Sequence, residues 1–185
     1  MGVAGIAAEV CYLSRPLFAL RIFNGVFMPP TLMFDLSKID LNAKPVFTRK
    51  EIDTVNPQRY EMQHLDGILW YDKEPRLILG YKDITEKEFW VRGHIPERPL
   101  MPGVIMIEAA AQLLSFYVKY VFKVQGFIGF AGIESAKFRA TVKPGDRLLL
   151  LGHITAIKSR IYTANIQGVV GDTMVFETSV SGLRV

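Results

Sequence analysis

Between Val104 and Val121, apolar side chains recur at 104, 107, 110 or 111, 114, 118 and 121 with few polar interruptions, a spacing near the helical period. The pattern predicts one long helix buried on most of its sides. Pro102 and Gly103 mark its start, because proline lacks only an N–H that would be unpaired in the first turn. Ahead of it, Gly67 to Tyr71 and Arg76 to Ile84 suit strands, with Asp72 to Pro75 as the turn of a hairpin. Glu88 to Arg92 reads as a short extended piece leading to His94. After Gly126 the rhythm changes. Phe127 to Val142, Arg147 to Lys158, Tyr162 to Val170 and Met174 to Val185 are dense in β-branched and aromatic residues, with breaks at Lys143 to Asp146, Ser159-Arg160 and Gly171 to Thr173. Four consecutive strands with short connections imply antiparallel pairing. One helix cannot cover two sheets, so the order predicts an α+β fold in which a curved antiparallel sheet wraps one central helix.

Upstream, residues 34–66 mix Asp, Lys, Asn and Pro and read as a lead-in to a main domain at 67–185. A short helix is expected at Thr48 to Val55, where Thr48 and Glu51 have the spacing of a capping box. Residues 1–33 form an N-terminal extension of unassigned role. They are apolar, but Glu9, Arg15 and Arg21 interrupt them and Pro29-Pro30 closes the run short of the ~18 to 20 apolar residues of a membrane span. No Lys or Arg precedes the apolar stretch, which argues against a secretory signal.

A chain of 185 residues that is 50% apolar and 22% charged fits one folded domain rather than a disordered one. Its single cysteine, Cys11, excludes an internal disulfide and a Cys cluster for zinc, and fits a reducing, cytoplasmic setting. The net charge of +4 is scattered, so nucleic-acid binding is not indicated, while an acidic protein partner would suit it.

The chemistry concentrates at residues 93–112, where a proline-rich loop carrying His94 runs directly into the helix carrying Glu108. Gly93, His94, Pro96, Pro99, Met101, Pro102, Gly103, Val104, Glu108, Ala109, Ala111 and Gln112 fall in the order of a known motif. Ala131 to Arg139 followed by Val142 to Asp146 extends the match. On these residues the chain resembles the 3-hydroxyacyl-[acyl-carrier-protein] dehydratase family, whose fold is the hotdog fold, from about Asn56 to Val185. The resemblance implies loss of water from 3-hydroxyacyl thioesters on an acyl carrier protein, giving trans-2-enoyl thioesters in fatty-acid biosynthesis. It also implies a homodimer or higher oligomer with shared sites, His94 of one subunit working with Glu108 of another. No cofactor is expected, and three widely spaced His without a Cys cluster suggest no metal site.

Elementary chemistry points to the same residues. Dehydration needs a base for the C2 proton, an acid for the C3 hydroxyl and donors for an enolate-like oxygen. His94 suits the first, because imidazole titrates near neutral pH. Glu108 in an apolar helix suits the second. The main-chain N–H groups of Gly103 and Val104 at the helix start suit the third. Gln112, one turn beyond Glu108, is placed to orient it. Each has a plain alternative: a loop histidine, a structural ion pair for Glu108, a core hydrogen-bonder at Gln112, tight packing at Gly103. Phe127, Phe130, Phe138 and Tyr117 are candidates to line an acyl tunnel, with ordinary core as the alternative. Arg139, Lys143, Arg147, Lys158 and Arg160 either meet an acidic carrier or form a solvated face. His64 and His153 read as structural.

Two stretches depart from the family pattern. Ile95 and Glu97-Arg98 replace a Phe and a Gly, so the loop's outer edge and substrate access are expected to differ. The family's Leu-Pro-His-Arg-x-Pro-Phe-Leu-Leu-Val-Asp corresponds here to Asn56 to Asp66, and Met62-Gln63-His64 is not expected to be buried like its apolar counterpart. These departures keep two alternatives open: a hotdog thioester hydrolase, and a non-catalytic acyl-binding subunit.

Overall fold

The computed structural model describes residues 31–185 and, upstream of them, the main chain of a small antiparallel strand pair, β1 (Ile22–Phe23) and β2 (Val26–Phe27). The expected N-terminal extension lies otherwise outside the described residues. The chain divides into two units, Met1–Thr31 and Leu32–Val185, and the second carries everything that follows. Its elements are β3 (Phe47–Thr48), α1 (Arg49–Ile52), β4 (Gly67–Asp72), β5 (Leu77–Asp83), α2 (Gly103–Val121), β6 (Ile128–Phe138), β7 (Arg147–Ile157), β8 (Ile161–Val170) and β9 (Thr173–Arg184). Seven strands form one antiparallel sheet in the order β3-β4-β5-β7-β8-β9-β6. The sheet curves around α2, which is the architecture the hydrophobic pattern predicts.

The helix is apolar on most sides because the curved sheet covers most of it. Ala109, Ala110, Leu113, Phe116, Tyr117 and Val118 are fully or almost fully buried against Ile68, Ile78, Leu148, Leu150, Ile166 and Val180. Close approach needs a missing side chain in the sheet. A Cβ on Gly80 would lie 2.7 Å from Leu113 Cδ1, well inside contact distance. Among the described residues α2 is the one helix long and apolar enough to cross a membrane, and its burial within the sheet marks it as a core helix.

Part of the sheet's other face is also covered. Leu69, Leu79, Leu149, Leu151 and Val169 form a second apolar cluster, packed under Leu32, Met33, Phe34, Leu36, Ile39 and Leu41. Leu148 to Leu151 are therefore buried without alternation, two facing α2 and two facing this strap.

Several details differ from the sequence reading. β6 follows α2 but does not pair with β7. β5 occupies that place, with Leu77 opposite His153 and Asp83 opposite Arg147, so β6 crosses to the far edge beside β9. The short helix stops at Ile52, although Glu51 caps it as expected by accepting from the Thr48 N–H at 2.7 Å. Residues 88–92 are not extended. They fold into turns in which Val91 N–H donates to Glu88 O at 3.0 Å and His94 N–H to Trp90 O at 2.7 Å. A buried cation holds this turn, since Lys82 Nζ lies 2.8 Å from Glu88 and 3.3 Å from Asp66. His64 is completely buried, contrary to expectation, while Met62 stays 45% exposed. Burial and the nearby Lys82 pull the His64 imidazole down to about 4, so it is neutral and behaves as core.

Candidate active site

His94 sits at the end of the turn that follows β5, and its ring is fixed from one side. Nδ1 lies 2.7 Å from Leu100 O, and a carbonyl can only accept, so Nδ1 carries the proton and Nε2 is left as the basic nitrogen. The loop between the two residues bends through left-handed backbone, with φ of 57° at Ile95 and 67° at Glu97. Neither has glycine's freedom, and each left-handed residue costs roughly 1–2 kcal/mol. Glu97 thus takes a conformation that suits the glycine it replaces.

His94 lines an open pocket of about 410 Å³ together with Leu100, Met101, Pro102, Gly103, Val104 and Phe138. The floor is the start of α2. Met101 N–H is taken by Val142 O, and Ile105 and Met106 donate to Pro102 O, but no side chain caps the helix, and among the described residues the N–H groups of Gly103 and Val104 have no partner. Pro102 precedes the helix instead of lying within its first turn. Gly103 has a second reason to be glycine: a Cβ there would lie 2.7 Å from Phe138 Cζ.

Glu108 lies elsewhere. It lines a pocket of about 190 Å³ with Gln58, Ala111, Leu114, Ser115, Phe127, Phe130 and Gly182, and none of the His94 pocket's residues belongs to it. Among the described residues a single chain sets the two groups in separate cavities. Among the described residues no Lys or Arg pairs with Glu108, so it is not half of a structural ion pair. Gln112 Nε2 donates to Glu108 Oε1 at 2.8 Å and also to Met62 O at 2.7 Å, while Gln112 Oε1 accepts from His64 N–H at 2.9 Å.

The tunnel candidates divide between the pockets, Phe127 and Phe130 beside Glu108 and Phe138 beside His94. Their exposures of 52%, 53% and 47% rule out ordinary core. Tyr117 is core, fully buried with its hydroxyl donating to Asp72 O at 2.6 Å. Of the basic residues, Arg139 and Arg147 already pair with Glu177 and Asp83, at 2.5 and 2.6 Å. His153 sits on β7, away from both pockets. Gln58 escaped the sequence reading, although its position within the Asn56 to Asp66 segment was in view.

Residues 56–179 match the FabA-like domain family. The 3-hydroxyacyl-[acyl-carrier-protein] dehydratase FabZ of Chlamydia muridarum (strain MoPn / Nigg) is 36% identical over 148 residues, covering 78% of this chain and 97% of that protein. The FabZ of Fusobacterium nucleatum is 39% identical over 127 residues, covering 66% of this chain and 86% of the relative. Among solved structures, the dehydratase heterocomplex ApeI:P from Xenorhabdus doucetiae superposes with a TM-score of 0.63 at 11% identity, covering 72% of this chain and 90% of that one. The Campylobacter jejuni virulence protein Cj0977 does so at 0.55 and 16% identity, covering 74% and 88%. At such identities the structural likeness speaks to the fold alone.

Proposed function

Because the chain belongs to the FabA-like domain family, we propose that it removes water from 3-hydroxyacyl thioesters carried on acyl carrier protein, supplying trans-2-enoyl thioesters to fatty-acid biosynthesis in the cytoplasm. Nε2 of His94 takes the C2 proton, and the N–H groups of Gly103 and Val104 hold the thioester oxygen as charge develops on it. Glu108 of the partner subunit protonates the C3 hydroxyl, which leaves as water while the C2–H electron pair becomes the new double bond. Phe127 and Phe130 of one subunit and Phe138 of the other flank the acyl chain.

The observation that supports this reading is that the Glu108 and His94 pockets lie at opposite ends of β6. This strand pairs only with β9 among the described strands, and it is long, exposed and apolar, with Phe130, Ile133 and Phe138 open to solvent. A free edge of this kind calls for a partner strand. The Glu108 pocket lies at its start, by Phe130, and the His94 pocket at its end, by Phe138. Antiparallel pairing of β6 with its own copy about a two-fold axis sets the start of one strand against the end of the other. Base and acid then meet across the interface, twice per dimer.

Complementation tests this directly. His94→Ala and Glu108→Ala variants, each inactive alone, should recover about a quarter of the parent rate of enoyl-thioester formation when unfolded and refolded together, since half of random dimers are mixed and each has one intact site. No recovery in proven mixed dimers overturns the shared site. Release of free thiol in place of an enoyl product would instead favour a thioester hydrolase, and ligand-induced stabilisation without turnover a binding subunit.

A further inference from the structure

Gln112 is 3% exposed, and its side-chain amide makes three hydrogen bonds that together fix its direction. Both Nε2 protons are taken, one by Met62 O and one by Glu108 Oε1, and Oε1 accepts the His64 N–H. Rotating the amide by half a turn would set oxygen against the Met62 carbonyl and NH₂ against the His64 N–H, two buried like-with-like contacts. Asn56, itself 4% exposed, adds a bond from Nδ2 to Gln112 O at 2.9 Å, which ties the helix backbone at this residue to the same segment.

We propose that the main chain of the Met62–His64 turn is a clamp that locks the Gln112 amide as a donor toward Glu108 and so confines the transferable proton of Glu108 to Oε2. An oxygen that accepts from Nε2 cannot also carry a proton directed at the same nitrogen, so the acid's O–H sits on the other oxygen. That makes Met62, His64 and Asn56 positioning residues, acting through Gln112 and never touching substrate. The inference rests on the dehydratase reading, in which Glu108 is the acid.

Steady-state kinetics on full-length variants tests it, with folding and assembly checked by circular dichroism and sedimentation. Gln112→Met keeps the length and removes both donors. Gln112→Glu keeps the shape and leaves one donor at most, none once ionised. His64→Pro keeps Gln112 but deletes the N–H that orients it, and the extended Gln63 before it, with ψ 104°, tolerates a following proline. All three should lose about tenfold or more in kcat while KM stays within about twofold, the signature of an interaction that matters in the transition state. The loss in Gln112→Glu should deepen as pH rises. A merely structural Gln112 would lower the melting temperature and leave kcat alone. A Gln112→Met kcat within about twofold of the parent overturns the clamp, and if His64→Pro does not fold, a pH-independent loss in Gln112→Glu overturns the locked direction. A parent without dehydratase turnover refutes the parent reading and the clamp together, whereas an active parent with unaffected variants refutes the clamp alone.

Discussion

Replacing His64 with leucine should change how stability depends on pH, and the direction follows from burial. The ring is 0% exposed, and among the described residues neither nitrogen has a hydrogen-bond partner. Charged groups face it from three elements: Lys82 from β5, Glu88 from the turn after it and Arg49 from α1, with Asp66 on its own segment. Desolvation dominates, Lys82 adds to it, and the carboxylates of Glu88 and Asp66 only partly oppose it, leaving the imidazole at about 4 against 6.5 in the unfolded chain. The unfolded state therefore binds a proton that the folded state refuses. Stability is complete above pH 6.5 and falls as the pH drops to about 4, by about 3 kcal/mol in total.

Leucine has a similar volume and no proton to bind. At pH 7.5 His64→Leu should be more stable than the parent by roughly 1–3 kcal/mol, because it removes buried polar atoms that have no partner. Toward pH 4 the gap should widen by about 3 kcal/mol more. Guanidinium unfolding across this range, at one fixed protein concentration, measures both quantities. The other titrating groups are common to both proteins, so the difference isolates His64. Parallel pH curves would show that His64 is protonated in the fold or reaches water, and the argument from burial would fail.

Lys82→Met should destabilise by about 3 kcal/mol in the same unfolding assay, because Glu88 is left buried without its cation, and kcat should drop as the turn leading to His94 loosens. Gly103→Ala should cost about 1–3 kcal/mol and reduce kcat/KM, since the new Cβ would sit 2.7 Å from the Phe138 ring. Adding Phe138→Leu should return most of the stability, which a thermal melt of the double variant checks.

What was legible in the sequence was what local chemistry decides. The bounds of α2 were read to within a residue because the helix is apolar on most sides and Pro102-Gly103 announces its start. β7, β8 and β9 were found because turn residues separate them. What escaped was set by partners distant in sequence. Nothing within residues 127–142 says that β5 already occupies the edge of β7. The turn at 88–93 depends on Lys82, itself held by Asp66, reaching Glu88 from elsewhere. Residues 32–41 have no period, yet they cover the apolar part of the sheet's outer face, over Leu69, Leu79, Leu149, Leu151 and Val169. His94 and Glu108 are only 14 residues apart in the sequence (108 minus 94) and line separate pockets; it was the family resemblance, not their spacing, that assigned them to different subunits.

The divergence around Met62 was, with the altered Ile95 to Arg98 loop, the best argument for a subunit that had lost its chemistry, and the structure changes its weight. The contacts this segment makes to Gln112 come from the Met62 carbonyl and the His64 N–H. Main-chain groups are the same whatever side chain is attached, so Phe-Leu-Leu and Met-Gln-His can hold the glutamine equally well provided the turn keeps its path. Two features keep it there. Arg49 Nη2 donates to Gln63 O at 3.1 Å, and the Gln63 side chain donates to Asp53. The substitutions at Met62 to His64 therefore fall on side chains while this turn's hold on the Gln112 amide is carried by the backbone, and sequence divergence in this turn is no measure of catalytic loss.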